Sequence, residues 1–195
     1  MVAVNSTMLA LGTPAPDFQL HDTDGTRILR DDFNGKPLLV AFICNHCPFV
    51  KHIAPELAAF GREVQAKGIA MVGINSNDYE AYPDDAPAAM RVEKQTRGYT
   101  FPYLVDSTQE VAKAYQAACT PDFYLFDRNH RLVYRGRFDA TRPQQSPPQT
   151  PDGSDLRAAV EALVAGKTVP AAQIASIGCN IKWKPGHAPS YFSAA

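Results

Sequence analysis

Cys44 and Cys47 stand three positions apart, with Asn45 and His46 between them. At that spacing one sulfur can reach the other, so the pair can open and close a disulfide, or supply half of a metal site. Both chemistries use the thiolate. A cysteine at a helix N-terminus meets unpaired backbone N–H groups and the positive end of the helix dipole, which lower a thiol pKa from about 8.5 into a range of roughly 3.5–7.5. Each unit of that fall is worth about 1.4 kcal/mol of preference for the charged form. With Cys44 ionised, it attacks a substrate disulfide and Cys47 resolves the mixed disulfide; run backwards, the pair donates its own disulfide. His46 either favours the thiolate, as a cation or by turning an N–H toward Cys44, or is a solvated linker residue, and its position leaves both open. A metal would need further ligands from His46, His52, Cys119 or Cys179, and none stands at knuckle spacing. The expectation is therefore redox chemistry with no metal and no cofactor.

The elements that must position the pair follow from the hydrophobic pattern. Pro37 to Ile43 is a continuous apolar run, the mark of a strand buried on both faces. Leu57, Phe60 and Val64 recur at helical spacing after the cysteines, and Gly68 stands where that helix would stop. The pair thus lies between a buried strand and a helix. Upstream, Phe18 to Leu20 and Thr26 to Ile28 flank the turn residues Asp22 to Gly25 and predict a β-hairpin. Downstream, the pattern predicts a strand over 69–74, a helix over about 85–97 and a strand over 99–105. Ser107 and Glu110 then predict a capping box before a short helix, followed by strands over 123–126 and 132–138. Residues 140–153 read as a Pro- and Gln-rich loop, and Leu156 to Val164 as a last amphipathic helix ended by Gly166. The tail from Lys167 shows no period. Alternating strands and helices predict one mixed-sheet α/β domain over 9–166, with a C-terminal extension over 167–195.

Composition narrows the partners. The chain has 195 residues, a formal charge of −1 and 20% charged residues, so no basic surface advertises nucleic acid or anionic lipid. The longest apolar run, Leu38 to Cys44, is too short for a bilayer. Met1 to Gly12 lacks the pattern of a secretory signal, so a cytoplasmic location is expected. Four cysteines in a chain of this length do not make a disulfide scaffold.

Phe42-Ile43-Cys44-Asn45-His46-Cys47 before a helix, with Thr120-Pro121 and the strand from Asp122 to Asp127, resembles the thioredoxin superfamily. Gly12-Thr13-Pro14-Ala15-Pro16-Asp17-Phe18-Gln19-Leu20 and the long gap from Cys47 to Pro121 are similar to its TlpA and AhpC/TSA (peroxiredoxin-like) branch. The resemblance spans about Leu9 to Gly166. It implies a thioredoxin-like fold, a cis Pro121 facing the cysteines, and Thr120 offering backbone groups to bound substrate. It also implies thiol–disulfide oxidoreductase activity on a protein disulfide or dithiol, with an external thiol reductant, in a monomer or weak dimer. Leu38 stands where thioredoxins carry a buried acid, so proton transfer at Cys47 must use water or another group. No tryptophan precedes Cys44, and Asn-His replaces Gly-Pro. Peroxiredoxins end Pro-x-x-x-Thr-x-x-Cys on their reactive cysteine; aligned on Cys47, that pattern meets Val40 and Cys44, and the activating arginine is missing near Thr120 to Asp122. A thiol peroxidase is the alternative, and a non-catalytic metal- or partner-binding redoxin a third reading.

Among other residues, Cys119 is expected to be a small buried hydrophobe rather than an extra resolving thiol. Cys179 and Trp183 are expected to pack the tail on the domain. Lys51, His52 and Glu56 are expected to be solvated, Phe49 and Val50 to wall the site with apolar surface, and Tyr79 to Pro87 to be a plain connection.

Overall fold

The run read as a doubly buried strand is the centre of the molecule. In the computed structural model, which describes residues 3–192, the strands are β1 (Ala3–Asn5), β2 (Gln19–Asp22), β3 (Arg27–Leu29), β4 (Leu38–Phe42), β5 (Ala70–Asn75), β6 (Tyr103–Val105), β7 (Cys119–Thr120), β8 (Asp122–Phe126), β9 (Leu132–Gly136) and β10 (Ile177–Asn180). The helices are α1 (Pro48–Ala66), α2 (Pro87–Arg97), α3 (Glu110–Ala114) and α4 (Ser154–Val164). Seven strands form a mixed sheet in the order β3-β2-β6-β5-β4-β8-β9, with β4 parallel to β5 and antiparallel to β8. Because side chains alternate along a strand, Leu39 and Ala41 of β4 and the following Ile43 face a core shared with α1 and α4. Leu38, Val40 and Phe42 face a second core shared with α3. Helix α1 buries Val50, Ile53, Leu57, Phe60 and Val64 on the first face, and each large apolar side chain so buried is worth about 1.5–3 kcal/mol. Among the described residues no helix is long and apolar enough to cross a membrane.

The hairpin forms as expected. The Asp22 carboxylate accepts the N–H groups of Asp24 and Thr26, both at 2.9 Å, and Gly25 takes the left-handed φ of 82° that closes the turn. Three expectations need correction. The strand predicted over 99–105 pairs only from Tyr103, because Tyr99 and Phe101 stack on each other at 4.9 Å and Phe101 fills the notch beside Gly61 of α1. Strand β9 ends at Gly136, short of Phe138, where the Ile174 carbonyl comes so close that no side chain would fit. The Ser107 capping box does not form: Gln109 caps α3 with a φ of 65°, and the buried Asp106 carboxylate accepts the Ala112 N–H at 2.9 Å.

The tail, which showed no period, contributes a strand. β10 lies between β1 and β7 in a second, three-stranded sheet, with Cys179 opposite Thr120 and Ala3. Gly178 makes this possible, since a Cβ there would sit 2.0 Å from the Thr120 carbonyl oxygen. Gly178→Ala is therefore expected to lift β10 from β7 at a cost of about 1–3 kcal/mol. Urea denaturation with amide exchange checks this; unchanged stability and protection at 177–180 would contradict the packing.

Candidate redox site

Helix α1 starts one residue after the second cysteine. Cys47 is its N-cap, with extended backbone (φ −67°, ψ 124°), and Pro48, whose missing N–H costs nothing in a first turn, opens it. The cap geometry aims the Val50 N–H at the Cys47 sulfur, and the Cys179 N–H also reaches it. The Cys179 and Cys44 thiols complete the set, their hydrogen bonds being the strongest influences. One contact opposes them: the Thr120 carbonyl oxygen lies 3.2 Å from Cys47 Sγ and welcomes a thiol there, not a thiolate. The donors prevail over that carbonyl and over burial, and Cys47 is held far below the ordinary thiol range.

Cys44 goes the other way. It follows β4 on the strand side, out of reach of the helix N–H groups. Burial pushes its thiol well up, as do donation of its proton to Cys47 and the nearby Asp85 charge; the Thr120 hydroxyl, 3.2 Å from Cys44 Sγ, only partly offsets them. The surroundings thus lower Cys47, first through the hydrogen bonds from the Cys179 and Cys44 thiols, and raise Cys44, whereas the sequence pattern led to the expectation of a lowered Cys44.

The two residues between the cysteines hold the loop to a segment read as a plain connection. Asn45 donates its backbone N–H to Asp85 Oδ1 and its side-chain amide to the Asp84 carbonyl, both at 2.7 Å, and accepts from the Tyr103 hydroxyl at 3.0 Å. His46 turns Nδ1 to Asp85 Oδ2 at 2.5 Å rather than toward Cys44, and its ring stacks on Tyr82 with centroids 5.4 Å apart. Burial raises the Asp85 carboxyl, but hydrogen bonds from His46, Asn77 and the Asn45 N–H outweigh it and leave Asp85 below the usual carboxylate range. Cys44, His46 and Asp85 place a sulfur, a nitrogen and an oxygen within 4.8 Å of one another, a donor set of the kind zinc accepts. Both Asp85 oxygens are already engaged by the three donors just named. Asp85 was absent from the sequence reading, since nothing in the spacing of Pro83-Asp84-Asp85 points back to a cysteine some forty positions earlier.

The Thr120–Pro121 peptide is cis. Thr120 touches both sulfurs, through its hydroxyl and its carbonyl, and its backbone is already paired with Cys179. The tail cysteine, expected only to pack, thus sits beside Cys47. Cys119 is fully buried, and burial drives its thiol pKa well up. The buried acid that Leu38 does not supply is present elsewhere: Asp122, in register with Phe42 on the neighbouring strand, is pushed up to about 7 by burial, and its carboxyl is engaged by Tyr124, Ser6 and Ser176. His52 and Glu56 are not simply solvated, since His52 meets Thr141 Oγ1 at 2.9 Å and Glu56 pairs with Arg157 at 2.8 Å. Val50 is buried in the core beside the cysteines, and half-buried Phe49 lines a shallow cleft with Pro121 and Phe138. Both reactive sulfurs are shut in, Cys44 being 1% and Cys47 0% exposed.

Asp85 gives a pH-dependent prediction. Its folded carboxyl lies below the ordinary 3.8, so its stabilisation is complete above that value and is lost as pH falls through the folded one. Asp85→Asn is expected to cost about 2 kcal/mol near neutrality, and the gap to the parent chain should narrow below about pH 4. Thermal unfolding across that range checks it; a gap independent of pH would show that the carboxylate charge is not what holds the loop.

Comparison with known proteins adds the lineage. An uncharacterized conserved protein from Geobacillus kaustophilus superposes with a TM-score of 0.91 at 50% identity, over 95% of this chain and 98% of that one. The thioredoxin domain of a thiol-disulfide oxidoreductase from Bacteroides vulgatus superposes with a TM-score of 0.55 at 22% identity, over 65% of this chain and 88% of that one, which places the fold among thioredoxin-like domains. In sequence, the chain is 27% identical over 128 residues to the thiol-disulfide oxidoreductase ResA of Geobacillus thermodenitrificans, covering 65% of this chain and 68% of the relative. It spans about two thirds of the length of such curated relatives. The AhpC/TSA family profile matches residues 11–135, from the N-terminal loop into β9. With most of the sheet and both cysteines inside that match, the chain belongs to the AhpC/TSA family.

Proposed function

We propose that this chain is a thiol–disulfide oxidoreductase that exchanges disulfides with a protein partner through Cys44 and Cys47. The observation that carries the reading is the contact of the two sulfurs with each other and with Thr120, in surroundings that raise Cys44 and lower Cys47. Such a pair needs no outside base. Cys44 passes its proton to Cys47, where the Thr120 carbonyl at 3.2 Å receives the new S–H. The Cys44 thiolate, next to the Thr120 hydroxyl, then attacks a substrate disulfide, forming a mixed disulfide and expelling one substrate thiolate. Cys47 gives its proton to that leaving thiolate and attacks Cys44 Sγ; the Cys44–Cys47 disulfide forms and the second substrate sulfur leaves reduced. An external thiol returns the pair to the dithiol. Cys44 takes the attacking role because Cys47 is enclosed by Val50, Thr120 and Cys179, whereas Cys44 lies beneath the loop that Asn45 and His46 tie to Asp85. Since both sulfurs are closed off, a protein substrate reaches them only when that loop or the β10 strand gives way. The names of the ResA relatives support the reaction class. The proposal includes a cytoplasmic monomer or weak dimer as the working form.

One observation favours a second reading. A lowered Cys47 thiol at a helix cap, in an AhpC/TSA-family chain whose sequence resembles the peroxiredoxin-like branch, is placed to attack peroxide. Among the described residues, the donors that act most on it are thiols and backbone N–H groups rather than an arginine, which favours disulfide exchange.

The two readings predict different outcomes. In insulin-disulfide reduction, Cys47→Ser is expected to lose turnover at least a hundredfold and, with its base gone, to form a mixed disulfide at Cys44 only slowly, while Cys44→Ser loses turnover without trapping. Full activity in Cys44→Ser, or peroxide consumption that depends on Cys47 alone, would replace exchange with the peroxidase reading.

A further inference from the structure

The two-residue strand contact between β10 and β7 places a third sulfur at the redox pair. Thr120 sits opposite Cys179 in register, and the same Thr120 presents its carbonyl to Cys47 at 3.2 Å and its hydroxyl to Cys44 at 3.2 Å. Cys179 is buried, and both its thiol and its backbone N–H address the Cys47 sulfur. Gly178 lets β10 approach this closely, since any larger residue would strike the Thr120 carbonyl. A cysteine that only filled space would not need its sulfur in hydrogen-bond contact with a reactive one. Cys119 shows the contrast: it is equally buried, but its sulfur points to the Pro121 carbonyl at 3.8 Å.

We propose that Cys179 is a third redox cysteine, which exchanges with the Cys44–Cys47 disulfide to form a Cys47–Cys179 disulfide. The inference rests on the oxidoreductase reading, which supplies the first disulfide. The step is a thiol–disulfide exchange within one chain and needs no further oxidant. Cys179 loses its proton and attacks Cys47 Sγ; the Cys47–Cys179 bond forms, the Cys44–Cys47 bond breaks, and Cys44 leaves as a thiolate that takes up the proton. In the dithiol form Cys179 is held protonated, first of all by its hydrogen bond to the charged Cys47. Once Cys47 is in a disulfide that charge is gone, and the largest obstacle to ionising Cys179 goes with it. The exchange returns Cys44 to the thiol state while the oxidising equivalent moves inward, under the C-terminal strand. Cys44 is then able to engage a second substrate thiol or disulfide before the chain has been reduced.

Direct mapping of the linkages tests this. The full-length parent chain is oxidised with glutathione disulfide to one disulfide per chain, quenched in acid, alkylated, digested without reduction and analysed by mass spectrometry. Peptides linked through Cys44–Cys47 and through Cys47–Cys179 are both expected, with a matching fraction of Cys44 alkylated. In Cys179→Ala the alkylated fraction of Cys44 should fall at least tenfold. A Cys44–Cys47 linkage alone in the parent chain would overturn the third-cysteine assignment and leave the exchange reading standing. No linkage to Cys44 in either chain would overturn the exchange reading itself. A folded Cys44→Ala chain oxidised with diamide gives an independent check: a Cys47–Cys179 disulfide supports the assignment, and full alkylation of Cys179 under the same oxidation contradicts it.

Discussion

Cys47 lies where water does not reach, and donors from its own turn and from the distant C-terminal strand lower its thiol. The first turn of α1 supplies the Val50 N–H, the loop after β4 supplies the Cys44 thiol, and the C-terminal strand supplies the thiol and N–H of Cys179. A buried ion without such partners would take up a proton instead. The rest of the site follows from this constraint. Strand β4 must end where it does, α1 must begin at Pro48, and β10 must come close enough on β7 for Cys179 to reach across. Glycine at 178 is the only residue that leaves room for that approach.

The loop between the cysteines is held by a second electrostatic arrangement. Asp85 collects the Asn45 N–H, the Asn77 amide and the His46 ring, and Tyr82 covers the ring from outside. The negative charge so anchored sits near Cys44 and adds to the burial and the Cys47 bond that raise it, while the donors at the helix cap lower Cys47. Access to the sulfurs and their acidity are thereby linked, because anything that displaces the Tyr82–Asp85 segment also removes one of the influences that, after burial and the bond to Cys47, raise Cys44.

Much of this was legible in the residues. The continuous apolar run of β4, the 3.6-residue period of α1 and the turn chemistry of Asp22 to Gly25 each have one reading, and the structure follows them. The fold class and the two cysteines came from such local signals together with the Thr120–Pro121 resemblance. Long-range placement left no local mark. Asp85 lies in a stretch with ordinary turn composition, and its partners are about forty positions away. Strand β10 is four residues long with half its positions buried, too short to show a period. Which member of the pair stands at the cap was likewise not legible, since a pair read as lying at a helix start does not say which sulfur the first turn addresses.

The most direct test of where the charge resides is a pH titration of thiolate ultraviolet absorbance in the reduced chain, alongside Cys44→Ser and Cys47→Ser. The account predicts a thiolate signal in the parent chain that persists well into the acid range, is retained in large part in Cys44→Ser, and is absent at neutral pH in Cys47→Ser. An acid-stable signal that survives in Cys47→Ser and vanishes in Cys44→Ser would place the anion on Cys44 and contradict it.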